Sequence, residues 1–250
     1  MLTTSTQIHA GFAAVANMKP QLARLEELFH PLPRETLDVG EGLFWQGDKA
    51  QHVFEITDGL LRIFKIIGDG RRVITGFLSA GDMVGLSLKN VYLYSAEAVT
   101  PVKVRRMTKR AFQEAIEQSP ELRPQLYSLM CDEMAAAQEQ MVLLSRKSAE
   151  ERVCSFLLLL ARRMYGTRQI GRMVELPMSR QDMADYLGLT IETVSRTITK
   201  LVTRGVITPN GRHAFDIAKP GKLLALCGDD DSYEDVGDGA ARTRQAVWPQ

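Results

Sequence analysis

Apolar positions follow two rhythms along this chain, and the change between them divides it. Over residues 37–107 they come in short runs punctuated by glycine, at Gly40, Gly42, Gly47, Gly59, Gly68, Gly70, Gly76, Gly81 and Gly85. No helical period fits this stretch. Val53-Phe54-Glu55-Ile56-Thr57 and the run 60–66 predict a hairpin turning at Asp58-Gly59, and a second turn falls at Asp69-Gly70. Residues 73–78, Met83-Val84, 96–98 and 102–106 supply further strands. Many short strands at regular spacing with glycine turns predict a β-sandwich or roll.

The period then lengthens. Ser119-Pro120-Glu121 is a helix start, with proline where the missing N–H costs nothing. Tyr127, Met130, Met134, Ala137, Met141 and Leu144 recur at alternating spacings of three and four, a heptad seam. Two readings are open: a stripe packed on the chain's own strand domain, or the seam of a parallel homodimer. The stripe is narrow, and Asp132, Glu133, Gln138, Glu139 and Gln140 cover much of the remaining surface, which favours the dimer. Methionine dominates the seam and adapts to more than one packing.

Further on, Ser179 and Asp182 form a capping-box-like pair, and Met183, Ala184 and Leu187 give a first helix its inner face. Gly188 sits where the chain turns sharply, and Thr190 caps a second helix whose inner face is Val194, Ile198 and Leu201. Ile191, Glu192, Ser195, Arg196 and Thr199 remain on the opposite side. This spacing predicts a helix-turn-helix with its outer face free to enter a major groove. A surface helical hairpin without a DNA role is the alternative. The downstream residues weigh against it: Asn210-Gly211 marks a hairpin tip, and Phe215 and Ile217 alternate on a return strand, so the pattern is that of a winged helix.

Composition adds bounds. The 250 residues suffice for about two domains. No run of about 18 apolar residues predicts a membrane span, and the N-terminus lacks the pattern of a signal peptide. Cys131, Cys154 and Cys227 are too widely spaced for a disulfide framework or metal clip, which implies a reduced, cytoplasmic setting. Net charge is only +1, but over residues 146–222 fourteen basic residues face seven acidic ones, an excess of about +7. Asp229, Asp230, Asp231, Glu234, Asp235 and Asp238 offset part of it in a tail read as disordered. No nucleophile–base pair or metal-ligand cluster emerges, so no enzymatic activity is expected.

The order of roll, long helix and winged helix-turn-helix resembles the CRP/FNR family of bacterial transcription regulators over about residues 22–222. The resemblance is carried by Val39-Gly40-Glu41-Gly42-Leu43-Phe44, Gln46-Gly47-Asp48, Gly59-Leu60-Leu61-Arg62, Asp69-Gly70-Arg71-Arg72, Ala80-Gly81-Asp82-Met83-Val84-Gly85 and the helix-turn-helix. Tyr92-Leu93-Tyr94-Ser95-Ala96-Glu97-Ala98-Val99 and Cys131-Asp132-Glu133-Met134-Ala135-Ala136-Ala137-Gln138 are similar to the FixK branch. The resemblance implies an α+β chain: a flexible segment 1–21, a cyclic-nucleotide-binding-type β-roll over 22–118, a dimerisation helix over 119–146, a winged helix-turn-helix over 147–226 and an acidic tail 227–250.

Two departures bear on the input. Cyclic-nucleotide-binding members carry Gly-Glu-Leu and a later Arg-Ser/Thr-Ala, which hold the ribose and the cyclic phosphate. Here the segments read Gly85-Leu86-Ser87 and Tyr94-Ser95-Ala96. No cyclic-nucleotide site is therefore expected. An FNR-type iron–sulfur cluster needs about four thiolates, against three cysteines, none before Cys131. Haem would have to use His9, His30, His52 or His213, all isolated, so no cofactor is expected. A redox-switched regulator acting through Cys154 or Cys131, and a roll-containing regulatory subunit without a DNA role, stay open as alternatives.

Glu192 can accept from a cytosine amino group, Arg196 can fork onto guanine, and Ser195 can reach a base edge. These match the Glu-x-x-Ser-Arg of FNR and FixK proteins, which implies a TTGAT half-site in an inverted repeat. Glu192 as a helix-start charge and Arg196 as a phosphate contact are the competing roles. Ser179, Arg180, Thr190, Thr193, Thr199, Lys200 and Arg212 are the candidates for the phosphate backbone. The FixK resemblance further implies a homodimeric activator of low-oxygen or nitrogen-fixation genes, with duplex DNA and RNA polymerase as partners and no membrane association.

Overall fold

A computed structural model of the chain describes residues 24–87, 89–165, 173–211 and 213–228. The segment 1–21, Arg212 and the acids from Asp229 onward lie outside the described residues. A 3-10 turn, Leu25–Leu28, precedes β1 (Arg34–Leu37), β2 (Gly42–Phe44), β3 (His52–Asp58), β4 (Leu60–Ile66), β5 (Arg72–Ser79), β6 (Met83–Val84), β7 (Ser95–Ala98) and β8 (Val102–Thr108). Helix α1 (Lys109–Gln118), a 3-10 turn Pro120–Leu122 and the long α2 (Arg123–Arg146) come next. The C-terminal part comprises α3 (Ala149–Tyr165), β9 (Met173–Glu175), α4 (Arg180–Leu187), α5 (Ile191–Thr203), β10 (Ile207–Pro209), β11 (Ala214–Ile217) and α6 (Pro220–Ala225).

The first eight strands form two antiparallel sheets, in the orders β1-β8-β3-β6 and β2-β7-β4-β5. Period-two alternation sets which side chains meet between them: Val102 and Val104 are buried on β8 while Lys103 between them is exposed. With Phe44, Phe54, Ile56, Leu61, Ile63 and Ala96 they build the core of the roll.

The hairpin expected at Asp58-Gly59 is not there. β3 pairs with β8 and β6, whereas β4 pairs with β5 and β7. The chain turns a corner from one sheet to the other at Gly59, whose φ of +87° and close approach to the Pro101 carbonyl leave no space for a Cβ. A tight hairpin and such a corner both require positive φ, so Asp-Gly alone cannot tell them apart. The turn at Asp69-Gly70 does join a hairpin, with Ile66 opposite Arg72.

Pro120 opens a 3-10 turn, and the α-helix begins at Arg123 with Pro124 in its first turn. Leu122 between them is fully buried with Leu25, Leu28, Phe29, Phe112 and Ile116. Helix α3, absent from the elements predicted above, is the centre of the C-terminal domain. It buries Val153, Cys154, Phe156, Leu157, Leu158, Leu160 and Ala161. A local signal for its start exists in Ser148-x-x-Glu151: the Ser148 N–H donates to the Glu151 carboxylate at 2.6 Å, and the Glu151 N–H to the Ser148 hydroxyl at 3.4 Å. The wing has three strands in the order β10-β11-β9, so the expected hairpin gains β9.

The roll and the C-terminal domain share one apolar cluster. Phe64, Ile74 and Phe77 of the roll join Phe156, Tyr186 and their neighbours. The rings of Phe77, Phe156 and Tyr186 lie 5.4–6.2 Å apart in tilted pairs. Pairs of this kind contribute about 0.5–1.5 kcal/mol beyond the area they bury.

Candidate nucleic-acid interface

Helix α4 starts on a full capping box. The Ser179 hydroxyl oxygen accepts from the Asp182 N–H at 3.0 Å, and the Asp182 carboxylate accepts from the Ser179 N–H at 3.2 Å. Gly188 ends the helix in the left-handed region at φ +62°. Thr190 caps α5, its hydroxyl oxygen accepting from the Thr193 N–H at 3.3 Å. Met183, Ala184 and Leu187 face Val194, Ile198 and Leu201 in the shared core. The predicted helix-turn-helix is therefore present with both caps and both inner faces as expected.

The outer face of α5 leaves Ile191, Glu192, Ser195, Arg196, Thr199 and Lys200 exposed. Glu192 lies over the first turn of its helix. Its own backbone N–H, then the Thr190 hydroxyl and the Arg196 charge, hold its carboxyl below the usual range. Glu192 is thus an ionised acceptor on the exposed face of α5, over the first turn of its helix. The Thr199 hydroxyl donates to the Ser195 carbonyl at 3.0 Å.

The backbone candidates divide. The hydroxyls of Ser179 and Thr190 are engaged in capping, and that of Thr193 lies 3.1 Å from that of Thr190. Arg180 lies over the Phe215 ring, 5.2 Å from its centroid, with Nη1 3.2 Å from the Met183 sulfur. It fastens α4 to the wing, and burial lowers its pKa. Lys200 pairs with Glu150 at the start of α3, as does Arg204 at 2.6 Å. Arg212 lies outside the described residues.

On α2 the seam residues Tyr127, Met130, Met134, Ala137, Met141 and Leu144 are all exposed on the single chain, Met134 at 59% and Met141 at 62%. The helix turns other residues toward its own chain: Ala136 is buried, and Leu126, Leu129 and Leu143 pack on the adjoining cores. The Gln140 amide donates to the Tyr186 carbonyl at 2.9 Å.

In the roll, Leu86 packs with the cluster of Phe29, Met83 and Phe112. The Tyr94 hydroxyl oxygen accepts from the Gly85 N–H at 3.3 Å, and burial raises its pKa. Its ring is 5.7 Å from Phe44, which stacks on Tyr92 at 3.8 Å. Arg105 pairs with Glu55 at 3.1 Å and Arg106 with Glu35 at 3.0 Å, both in the other sheet. Among the cysteines, Cys154 is fully buried, and burial pushes its thiol up to about 12. Its thiolate is scarce at neutral pH, which lowers its reactivity. Cys227 is buried too, and Cys131 is exposed on α2.

A roll, an exposed helical stripe and a capped helix-turn-helix with a wing define a DNA-binding transcription regulator. Residues 34–119 match the cyclic nucleotide-binding domain family, and residues 151–226 the Crp-like helix-turn-helix domain family. The chain belongs to the CRP/FNR family, with FixK proteins among its relatives. It is 42% identical over 185 residues to the nitrogen fixation regulation protein FixK of Bradyrhizobium diazoefficiens, covering 74% of this chain and 78% of that protein. It is 37% identical over 220 residues to the FixK of Rhizobium meliloti, covering 86% and 99%. The structure of FixK2 from Bradyrhizobium japonicum matches with a TM-score of 0.74 at 32% identity, over 80% of this chain and 98% of that one. Among the described residues no helix is long and apolar enough to cross a membrane.

Proposed function

We propose that this chain is a FixK-type regulator that binds DNA as a parallel homodimer without a small-molecule effector. It reads an inverted TTGAT repeat and controls genes of low-oxygen metabolism or nitrogen fixation, with RNA polymerase as its partner. The observation that carries this reading is the exposed face of α5, where Glu192, Ser195 and Arg196 stand at i, i+3 and i+4. The ionised Glu192 offers an acceptor to cytosine, the Arg196 fork two donors to guanine, and Ser195 a short polar contact between them. The exposed α2 stripe supports a partner helix, since an apolar seam of this kind is costly in water. The names of the FixK relatives support the nitrogen-fixation role. Tyr94 and Leu86, standing where a phosphate and a ribose would need charged partners, support effector independence.

Binding-site selection from random DNA with ligand-free protein tests the reading, followed by Arg196→Ala. Loss of a bidentate contact worth about 1–3 kcal/mol in each half-site should weaken cognate binding roughly 10²-fold. Random DNA should be affected far less. Lys200→Ala should weaken both alike, because phosphate contacts carry no sequence information. If Arg196→Ala lowers cognate and random binding by the same factor, Arg196 meets the backbone and the base-reading face lies elsewhere.

A further inference from the structure

Charged side chains join the roll to the helix-turn-helix alongside the apolar ones. Arg72 on β5 reaches α4, donating Nη2 to Asp182 at 2.7 Å and Nε to Asp185 at 2.9 Å. Arg62 on β4 donates Nη1 to Asp182 at 3.2 Å and pairs on its other side with Glu97 of β7. Glu97, Arg62, Asp182, Arg72 and Asp185 thus form a row of alternating charge. The row is largely shielded from water, its side chains ranging from 4% exposed at Asp182 to 25% at Arg72. Nearby, Arg163 of α3 donates to the Phe77 carbonyl at 3.1 Å and pairs with Asp82.

Asp182 is also the residue that closes the capping box of α4. The two roll arginines therefore grip the start of the first helix of the helix-turn-helix, and α4 in turn carries α5. The far end of the row, Glu97, lies on the strand directly after Tyr94. Buried charges are a poor means of adding stability, because desolvation offsets most of their attraction. They are directional, however, and a guanidinium fork between two carboxylates admits few geometries. Apolar contacts alone would let the two domains slide.

We propose that Arg62 and Arg72 are positioning residues for DNA binding. Through Asp182 and Asp185 they fix the angle of the helix-turn-helix against the roll. In a dimer the two α5 helices then stand one helical turn of DNA apart with no effector bound. This rests on the reading of α5 as the groove helix and of α2 as the dimer seam.

The test uses the full-length protein and two DNAs, the selected palindrome and a single half-site. Arg72→Gln breaks the row, and Asp182→Asn removes its charge while keeping an oxygen for the cap. Each should weaken palindrome binding roughly 10- to 100-fold, the range of a typical coupling between sites. Half-site binding should change less than about threefold, because the reading face itself is intact. Arg72→Lys, which keeps a cationic donor facing Asp182 and Asp185, should recover part of the loss seen in Arg72→Gln. Equal losses on both DNAs would mean damage to the fold instead of misorientation and would overturn the proposal. So would an unchanged palindrome affinity, or an Arg72→Lys variant no better than Arg72→Gln. If the wild type itself shows no preference for the palindrome, the dimer reading fails, and amide exchange without DNA decides the row. Faster exchange in α4 of Arg72→Gln supports it, and unchanged rates overturn it.

Discussion

Glu133 lies on α2 among the polar residues that the sequence pattern places on the water-facing side. Burial instead pushes its carboxyl up to about 7, and the Tyr94 phenol senses its charge. The consequence for stability has a definite sign. An unfolded Glu133 ionises near the ordinary value of 4.5. Between that pH and about 7 the folded chain holds a proton that the unfolded chain has released. Stability therefore falls as pH rises through this window, and the full cost is present above it. Glu133→Gln should match the wild type most closely in thermal unfolding near pH 4 and melt a few degrees higher near pH 8, since about 1 kcal/mol shifts Tm by about 2–4 °C in chains of this size. Parallel Tm curves for the two proteins across that range would show that the carboxyl is solvated. The same gap between pattern and partner affects the basic residues. Arg152 counts toward the local excess of positive charge, yet it donates to the carbonyls of Leu144, Lys147 and Leu187 and ties α2, α3 and α4 together. Arg163 and Arg180 are likewise engaged inside the protein. The excess of about +7 read from the sequence thus overstates what is free to meet phosphate.

Among the elements, α2 makes the sharpest demand. Its seam is exposed on the single chain, and Met134→Arg would set like charges face to face across a parallel pair. A monomer with greatly weakened palindrome binding is the expected result in sedimentation and gel-shift measurements. An unaltered dimer would remove the seam from the interface. The elements legible in the sequence are those whose determinants are local. The caps of α4 and α5, the Gly188 turn and the inner-face spacings all lie within 23 consecutive residues, 179–201. The corner at Gly59 mimics a hairpin in the sequence because its cause, the Pro101 backbone, is remote along the chain. Helix α3 does carry a helical period, with Val153, Cys154, Leu157, Leu158 and Ala161 on its buried face, but the continuous apolar run Phe156-Leu157-Leu158-Leu159-Leu160 obscures it. The row from Glu97 to Asp185 joins residues up to 120 positions apart, and no periodicity reports such a pairing.

For the whole molecule, the roll matches the cyclic nucleotide-binding domain family, and the proposed function has Leu86 and Tyr94 standing where such a ligand needs charged partners. Cyclic AMP at millimolar concentration is accordingly expected to leave DNA affinity unchanged. Tightening of tenfold or more in a gel shift would contradict the proposed role of Leu86 and Tyr94. The order of strands in the first sheet also bears on how the protein comes into being. β1 is hydrogen-bonded to β8, with Arg34 opposite Arg105 and Leu37 opposite Val102, and among the described residues to no other strand. On the ribosome, the first strand to emerge must wait for the last one of the roll before it can pair. Until then its N–H and C=O groups face solvent as an open edge, the kind of surface on which nascent chains of this type associate wrongly. A translation product halted before Val102 would leave both edges of β1 unpaired, where the finished roll leaves one, and is expected to aggregate more readily than the full chain.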